Sequence, residues 1–441
     1  MKTFHLTRCL TLATLCASFL VAQPQDNTTL KQVIIFGRHA ARTPVVPASM
    51  LINFSTQTYP TFSAPGLAVI TPNGQTNETY LGAYFRAWLT QEKLLTGNDA
   101  SDAGFVYVRA NNAPLIVDTA QAFAAGLLPQ ASVTVNTVAA PDPLFDPIDA
   151  GVAKLDTKMA IAAINGRLGG NPQSLATAYS AELALARSVL FNYPVGTTPV
   201  PATPAGKTDV TAIPIAMTPS TTPGNMTVPV NPGGLGDYYY AVDPFLMEYA
   251  DGMPASEVGW GQLDAAGIGQ IYRVYDVLLD LEYRTPYLAR VQSSNLGSHI
   301  VRTMVQAATG NAMGGAMGSP SDKIVLLTAS NTNVSGLAGL FQLDWLVQGY
   351  QRDVASLGGA LVFELRQSQR TGEFIVRAVY ITQTLDQLRG LAKLTLTAPP
   401  AVVPVFIPGC SVDNATYDCS LGTFVDLAQH RIDSESADLV N

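Results

Sequence analysis

At 441 residues, with 47% hydrophobic and only 13% charged side chains, the chain has the material for a large buried core, which excludes wholesale disorder. A formal net charge of −8 and a pI near 5.0 give no global attraction to nucleic acid or to anionic membrane surfaces, so neither is expected as a partner. Any anionic ligand has to be held by a local cationic pocket working against that field.

The N-terminus reads as an export signal. Lys2 and Arg8 precede the mostly apolar run Cys9 to Val21, and Ala22 is the expected last residue removed, giving a signal peptide at 1–22 and a secreted, extracellular protein. The run is too short for a membrane anchor and ends in the polar Gln23-Pro24-Gln25-Asp26. His5, Cys9 and Cys16 leave with it. Cys410 and Cys419 remain, nine positions apart around a polar turn, and in an oxidising compartment they are expected to bond to each other. Asn-x-Ser/Thr triplets begin at Asn27, Asn53, Asn77, Asn225, Asn333 and Asn414, and with export they predict surface glycans.

Gln32-Val33-Ile34-Ile35-Phe36 has the pattern of a buried strand and runs straight into Gly37-Arg38-His39. Leu81, Tyr84, Phe85, Trp88 and Leu89 follow helical spacing, as does the Ala-rich stretch from Val152 to Leu190. From Pro194 to Gly234 the chain is rich in Pro, Thr and Gly, and predicts a long surface loop. Helical patterns return from Tyr238 to Ala308. A second buried strand, Lys323 to Thr328, leads through a loop to the helical pattern Val334, Leu337, Leu340. Ala360 to Leu365 and Phe374 to Tyr380 read as paired strands. Two strand–loop–helix units are the grammar of a three-layer α/β domain. Ligands of such sheets bind beyond the carboxyl ends of the strands, so the loops Gly37 to Pro44 and Ala329 to Asn333 are expected to line one cleft.

The most informative stretch is Arg38-His39-Ala40-Ala41-Arg42-Thr43-Pro44. A histidine that attacks phosphorus must be neutral, held at the end of a rigid element, and surrounded by cations for the charged oxygens. Arginine suits that task because its planar fork binds phosphate in bidentate fashion and keeps its charge. Taken by itself, the stretch equally fits a surface turn with two solvated arginines and an ordinary histidine.

The segment resembles the Arg-His-Gly-x-Arg-x-Pro signature of histidine acid phosphatases, the branch that includes fungal phytases, with Ala40 where the family has glycine. Thr119-Ala120-Gln121-Ala122-Phe123 with Gly126-Leu127-Leu128-Pro129 is similar to the family's helix after its second sheet strand. Leu361 to Leu365, Gly409-Cys410 and Cys419-Ser420-Leu421 are similar to its C-terminal portion. The resemblance implies a phosphoglycerate mutase-like α/β fold: a three-layer, six-stranded and mostly parallel sheet flanked by helices, with an inserted helical domain. Segments 23–140 and 320–441 would form the core and 141–319 the insertion, with the Pro/Thr-rich loop at 194–234. It also implies a two-step hydrolysis, in which a histidine takes the phosphoryl group and an aspartate protonates the leaving alcohol.

Carried over position by position, that mechanism is incomplete here. Ser330 stands where the family's second histidine belongs, and Asn331 stands where its proton donor belongs. Leu115 takes the place of a third phosphate-binding arginine, while Arg109 is kept at a position that begins the loop. Asparagine is nearly isosteric with aspartic acid but has no carboxyl proton to give, and losing a general acid costs ~10²–10⁴-fold in rate. The resulting expectation is a secreted phosphatase-like protein with weakened or lost phosphomonoesterase activity. Its pocket would be formed by His39 as nucleophile or acid/base, Arg38 and Arg42, with Ser330 and Asn331 on the far wall, and its ligand would be a small anionic or polar molecule. Alternatives are an active phosphatase for substrates with good leaving groups, an enzyme repurposed for another small metabolite, and a non-catalytic binding protein. His299, beside Arg302, is expected to be structural and His430 solvated. The histidines show no metal-ligand spacing, so neither a metal site nor a cofactor is expected.

Overall fold

The computed structural model describes residues 27–212, 215–219, 230–231 and 234–438; the leader at 1–22 and the sequon at Asn225 lie outside the described residues. Along the strand Thr28–Arg38, side chains alternate between two cores. Val33 and Ile35 join Leu81, Phe85 and Phe123 on one face of the sheet, and Ile34 and Phe36 join Leu296, Ile300, Leu337 and Phe341 on the other. Burial on both faces is why the segment reads as an unbroken apolar run. It pairs in parallel with the strand Ile324–Ala329, with Arg38 opposite Ala329, and that strand pairs in parallel with Val106–Ala110. Three carboxyl ends therefore converge on one edge of the sheet.

The expected three-layer α/β architecture is present, but among the described residues the sheet has eight strands and is mixed. The strands Ala360–Ser368, Phe374–Thr382, Ala401–Val405 and Cys419–Ser420 all pair antiparallel. The turn between Ser368 and Phe374 is too short for the crossover that a parallel pair needs. On one face, the helices Pro72–Gln91 and Pro114–Leu127 cross where both carry glycine. A Cβ on Gly82 would collide with the Phe123 carbonyl, and one on Gly126 with that of Thr79. The helices Pro286–Thr309, Asn331–Phe341 and Leu421–Arg431 cover the other face.

A third apolar cluster belongs to helices inserted between the two halves of the sheet. It runs from the helix Thr157–Arg167 through Ser180–Leu190 and Gly234–Ala250 to Ala265–Tyr283. This is shorter than the expected 141–319. Leu144 and Phe145 before it, and Leu296, Ile300 and Met304 after it, pack into the sheet's own core. The Ala-rich stretch is not one helix, because Gly169 and Gly170, at φ 61° and 74°, break it. Nor is the Pro/Thr-rich segment wholly a surface loop: Val210, Ile215 and Met217 are buried against the inserted helices. No helix among the described residues is long and apolar enough to cross a membrane.

Two of the sequons are closed by the fold. Asn77 is buried, with its amide donating to Leu388 O (2.9 Å) and its Oδ1 accepting from Gln383 (3.2 Å). Asn333 donates to Phe145 O at 2.7 Å, and its Oδ1 accepts from the Ser330 backbone. A glycan does not fit on the buried Asn77, and on the half-buried Asn333 it would compete with the Phe145 contact, whereas Asn27, Asn53 and Asn414 are exposed. Cys410 and Cys419 are bonded to each other with a Cα–Cα distance of 5.1 Å. Replacing both by serine is expected to lower the unfolding free energy by ~2–3 kcal/mol, as a short closed loop should. Denaturant titration under non-reducing conditions measures it, and an unchanged midpoint would remove the bridge from the account of stability.

Candidate active site

Arg38 and His39 end the central strand and are held by backbone on both sides. His39 N donates to Ala329 O (3.0 Å), Arg38 N to Gly359 O (2.9 Å) and Gly358 N to His39 O (3.2 Å). The turn that follows is pinned by Ala40 N on Thr119 Oγ1 at 3.2 Å, by Thr71 N on Ala41 O at 3.1 Å and by Thr43 N on Val69 O at 2.9 Å. The position of His39 is therefore set by the sheet and not by a free loop.

The His39 ring is buried, and its Nδ1 lies 2.9 Å from Ala40 O. A carbonyl can only accept, so Nδ1 carries the proton and Nε2 keeps the lone pair. Burial, followed by the charges of Arg38 and Arg42, holds the His39 pKa well below the ordinary 6.5, against the pull of the Ala40 bond. The imidazole is thus neutral in mild acid, as a nucleophile must be.

The two flanking arginines have different surroundings. Arg42 is 2% exposed and meets Asp243 through Nη1 (2.8 Å) and Nη2 (3.2 Å), with Nη2 also donating to Tyr239 Oη at 2.8 Å. Burial works against its charge, but Asp243 overrides it and raises the Arg42 pKa. Arg42 is therefore neutralised by an acid from the inserted helix Gly234–Ala250, not solvated and not free for an anion as expected. Arg38 is 4% exposed, donates from Nη1 to Ala355 O at 2.8 Å, and its buried Nε has no partner among the described residues. Among the described residues, no carboxylate lies within ion-pair distance of it. Arg109, kept in the sequence, is bound by Asp142 at 2.7 and 2.6 Å.

On the far wall, Ser330 and Asn331 open the helix Asn331–Phe341. The Ser330 hydroxyl bonds to Asn333 Oδ1 (2.7 Å) and Thr332 Oγ1 (2.5 Å), so it completes the helix start and does not line the cavity described below. Asn331 does line it, and donates from Nδ2 to Tyr275 Oη at 3.1 Å. Tyr275 stacks on Tyr239 with centroids 4.4 Å apart. A chain of contacts therefore runs from Arg42 through Tyr239 and Tyr275 to Asn331. Leu115 is buried in the first turn of the helix Pro114–Leu127 and brings no charge. His299 is bonded through Nδ1 to the Gly315 carbonyl and His430 is exposed, both away from the site.

Sequence reasoning missed Asp243, Tyr239, Tyr275 and Asp276. The available signal was a carboxylate set into an otherwise apolar helical run, as in Tyr240-Ala241-Val242-Asp243-Pro244-Phe245 and Val274-Tyr275-Asp276-Val277-Leu278.

A family model described as the histidine phosphatase superfamily (branch 2) matches residues 29–187. The chain is 28% identical over 412 residues to "Phytase AppA" of Escherichia coli (strain K12), covering 92% of this chain and 93% of that protein. It is 26% identical over 431 residues to the glucose-1-phosphatase of Providencia rettgeri, covering 96% and 98%. Among solved structures, it is similar to the Hafnia alvei phytase in complex with tartrate, at 28% identity and a TM-score of 0.82, over 94% of this chain and all of that one. The same phytase in complex with myo-inositol hexakis sulphate gives 26% identity and a TM-score of 0.79, with 94% and 100% covered.

Truncating Asp243 to alanine is expected to destabilise the protein by about 3–5 kcal/mol, since it leaves Arg42 buried and unpaired. The double variant Arg42→Met, Asp243→Leu is expected to recover most of that loss. Denaturant unfolding of the three proteins measures both, and an Asp243→Ala midpoint equal to wild type would show that Arg42 does not depend on Asp243 for its burial.

Proposed function

Because the chain belongs to branch 2 of the histidine phosphatase superfamily, we propose that it is a secreted histidine acid phosphatase-like protein, weak on alkyl phosphate esters and effective only where the leaving group departs without a proton. The printed names of its relatives, phytase and glucose-1-phosphatase, support phosphate monoesters as the substrate class. The leader-like sequence at 1–22 supports export.

The observation that carries this reading is the pairing of Asn331 with Tyr275 beside an arginine that has no counter-ion among the described residues. In this reading, the phosphoryl group rests on Arg38 and His39 Nε2 attacks phosphorus. The P–N bond forms as the P–O bond to the leaving group breaks, and the departing oxygen faces Asn331. The amide can donate a hydrogen bond there but cannot transfer a proton. A phenolate, with a pKa of about 10, leaves without help, whereas an alkoxide does not. Water then attacks the phosphohistidine and releases phosphate, returning His39 to its neutral form. With Arg42 held by Asp243 and leucine at 115, Arg38 is the guanidinium of the site without a carboxylate partner among the described residues, and turnover would be correspondingly reduced.

At pH 5, kcat/KM for 4-nitrophenyl phosphate is expected to exceed that for glycerol phosphate by about 100-fold or more. Asn331→Asp should raise the glycerol phosphate value by at least tenfold and the aryl value by much less, and His39→Ala should abolish both. An Asn331→Asp variant that raises the two substrates equally, or a wild type that does not distinguish them, would contradict the reading.

A further inference from the structure

A small cavity lies between the end of the central strand and the inserted helix Ala265–Tyr283, on the side of Arg38 that faces Asn331. Its water-accessible space is about 40 Å³, room for about three waters. The walls are apolar: Leu246, Ile268 and Leu357, with the rings of Tyr272, Tyr275 and Tyr350. Arg38 and Asp276 are the charged groups on its wall among the described residues, from the strand and the inserted helix, with the polar side chains of Asn331, Gln351 and Ser356 beside them. An apolar pocket with a few convergent polar groups is the general form of a small-molecule site.

Asp276 is the unexplained member. It stands on a helix whose neighbouring positions Val274, Leu278 and Leu279 are buried, and the surface it keeps faces this cavity and the wider cleft outside it. The charged groups of that cleft are already matched: Arg167 with Asp280, Arg273 with Glu182, and Arg284 and Arg352 with Asp344 and Asp353. Asp276 has no ion-pair partner among the described residues.

We propose that this cavity holds the organic group of the substrate, that it selects a small aryl anion with its charged end on Arg38, and that the anion binds together with a proton on Asp276. The inference deepens the phosphatase reading and rests on it. The aryl body would lie where the leaving group must lie, beside Asn331, and a six-fold phosphorylated ring exceeds the space.

Proton linkage follows from the two charges. Burial pushes the Asp276 pKa up to about 7, with Arg38 opposing. Below that value the carboxyl is neutral and Arg38 presents an uncompensated positive charge to an anion. Above it the carboxylate offsets Arg38 and repels the ligand. Asp353 changes charge in the same direction, but at a lower pH and away from Arg38, while the histidine and the tyrosines around the cavity keep their charge over this range. His39 is held neutral by a lowered pKa, Tyr272, Tyr275 and Tyr350 are all raised, and Asp353, pushed up by burial to about 6, lies in the outer cleft with Arg284 and Arg352. Anion affinity should therefore fall as pH rises through about 7.

Calorimetric titration of the full chain with benzenesulfonate and with inorganic sulfate tests the proposal, since benzenesulfonate keeps one charge between pH 5.5 and 8.5. At pH 5.5, benzenesulfonate is expected to bind at least tenfold tighter than sulfate and at least tenfold tighter than it does at pH 8.5. In Asp276→Asn, the tight binding should persist at pH 8.5. Equal affinities for the two ions on the wild type, or an unchanged pH dependence in Asp276→Asn, would overturn it. Because no turnover is measured, a chain that proves inactive can still pass. A chain that hydrolyses 4-nitrophenyl phosphate yet binds both ions alike fails here while leaving the phosphatase reading intact.

Discussion

Arg42 and Asp243 are both withdrawn from water, and neither tolerates that alone. Arg42 belongs to the turn that leaves the central strand, and Asp243 belongs to a helix inserted between the two halves of the sheet, so their contact locks the insertion over the sheet's carboxyl edge. Tyr239, one helical turn before Asp243, is carried to the same guanidinium. Its ring supports Tyr275, which holds Asn331. The shape of the cavity depends on this clamp, because two of its aromatic walls are positioned through it: Tyr275 by the Tyr239 ring, and Tyr272 by its hydroxyl, which donates to Asp243 Oδ1 at 3.2 Å.

The same pair changes what the site can bind. A guanidinium that already holds a carboxylate in bidentate fashion has little left for a phosphoryl group. Arg109 is likewise spent on Asp142, and position 115 has no charge. The remaining cation, Arg38, has no ion-pair partner among the described residues and faces a largely apolar space. A site of this kind discriminates by the body of its ligand as much as by its charge, since one arginine cannot neutralise a polyanion.

Much of the fold was legible in the sequence because it is local. The two buried strands, their loops and the paired strands 360–368 and 374–382 follow from periodicity and turn length, and Arg38-His39 follows from where the first strand stops. The resemblance supplied the insertion, but not its extent. The helix Pro286–Thr309 looks like its neighbours in sequence, and only its partners, Phe36 and Phe341 among them, show that it belongs to the sheet. The fate of Arg42 was illegible for a similar reason. Its partner lies 201 positions away, and nothing in the local pattern distinguishes an arginine awaiting an anion from one that already has a carboxylate. The spacing around Ser330 could not show either that its hydroxyl turns back to Asn333 and Thr332 to start a helix.

Asn331 and Asp276 then acquire complementary meanings. At the position where the family resemblance places an acid, the amide fixes a tyrosine, and the carboxyl on the cavity wall, which has no ion-pair partner among the described residues, belongs to the inserted helix. Burial keeps that carboxyl protonated in mild acid, so it can remain in an apolar wall without a counter-ion. It also means that the charge facing a ligand is decided by pH and not by composition alone. An acidic chain can in this way concentrate one positive charge at a buried point, with the sheet fixing Arg38, the insertion fixing the wall opposite it, and a proton removing the carboxylate that would otherwise cancel it.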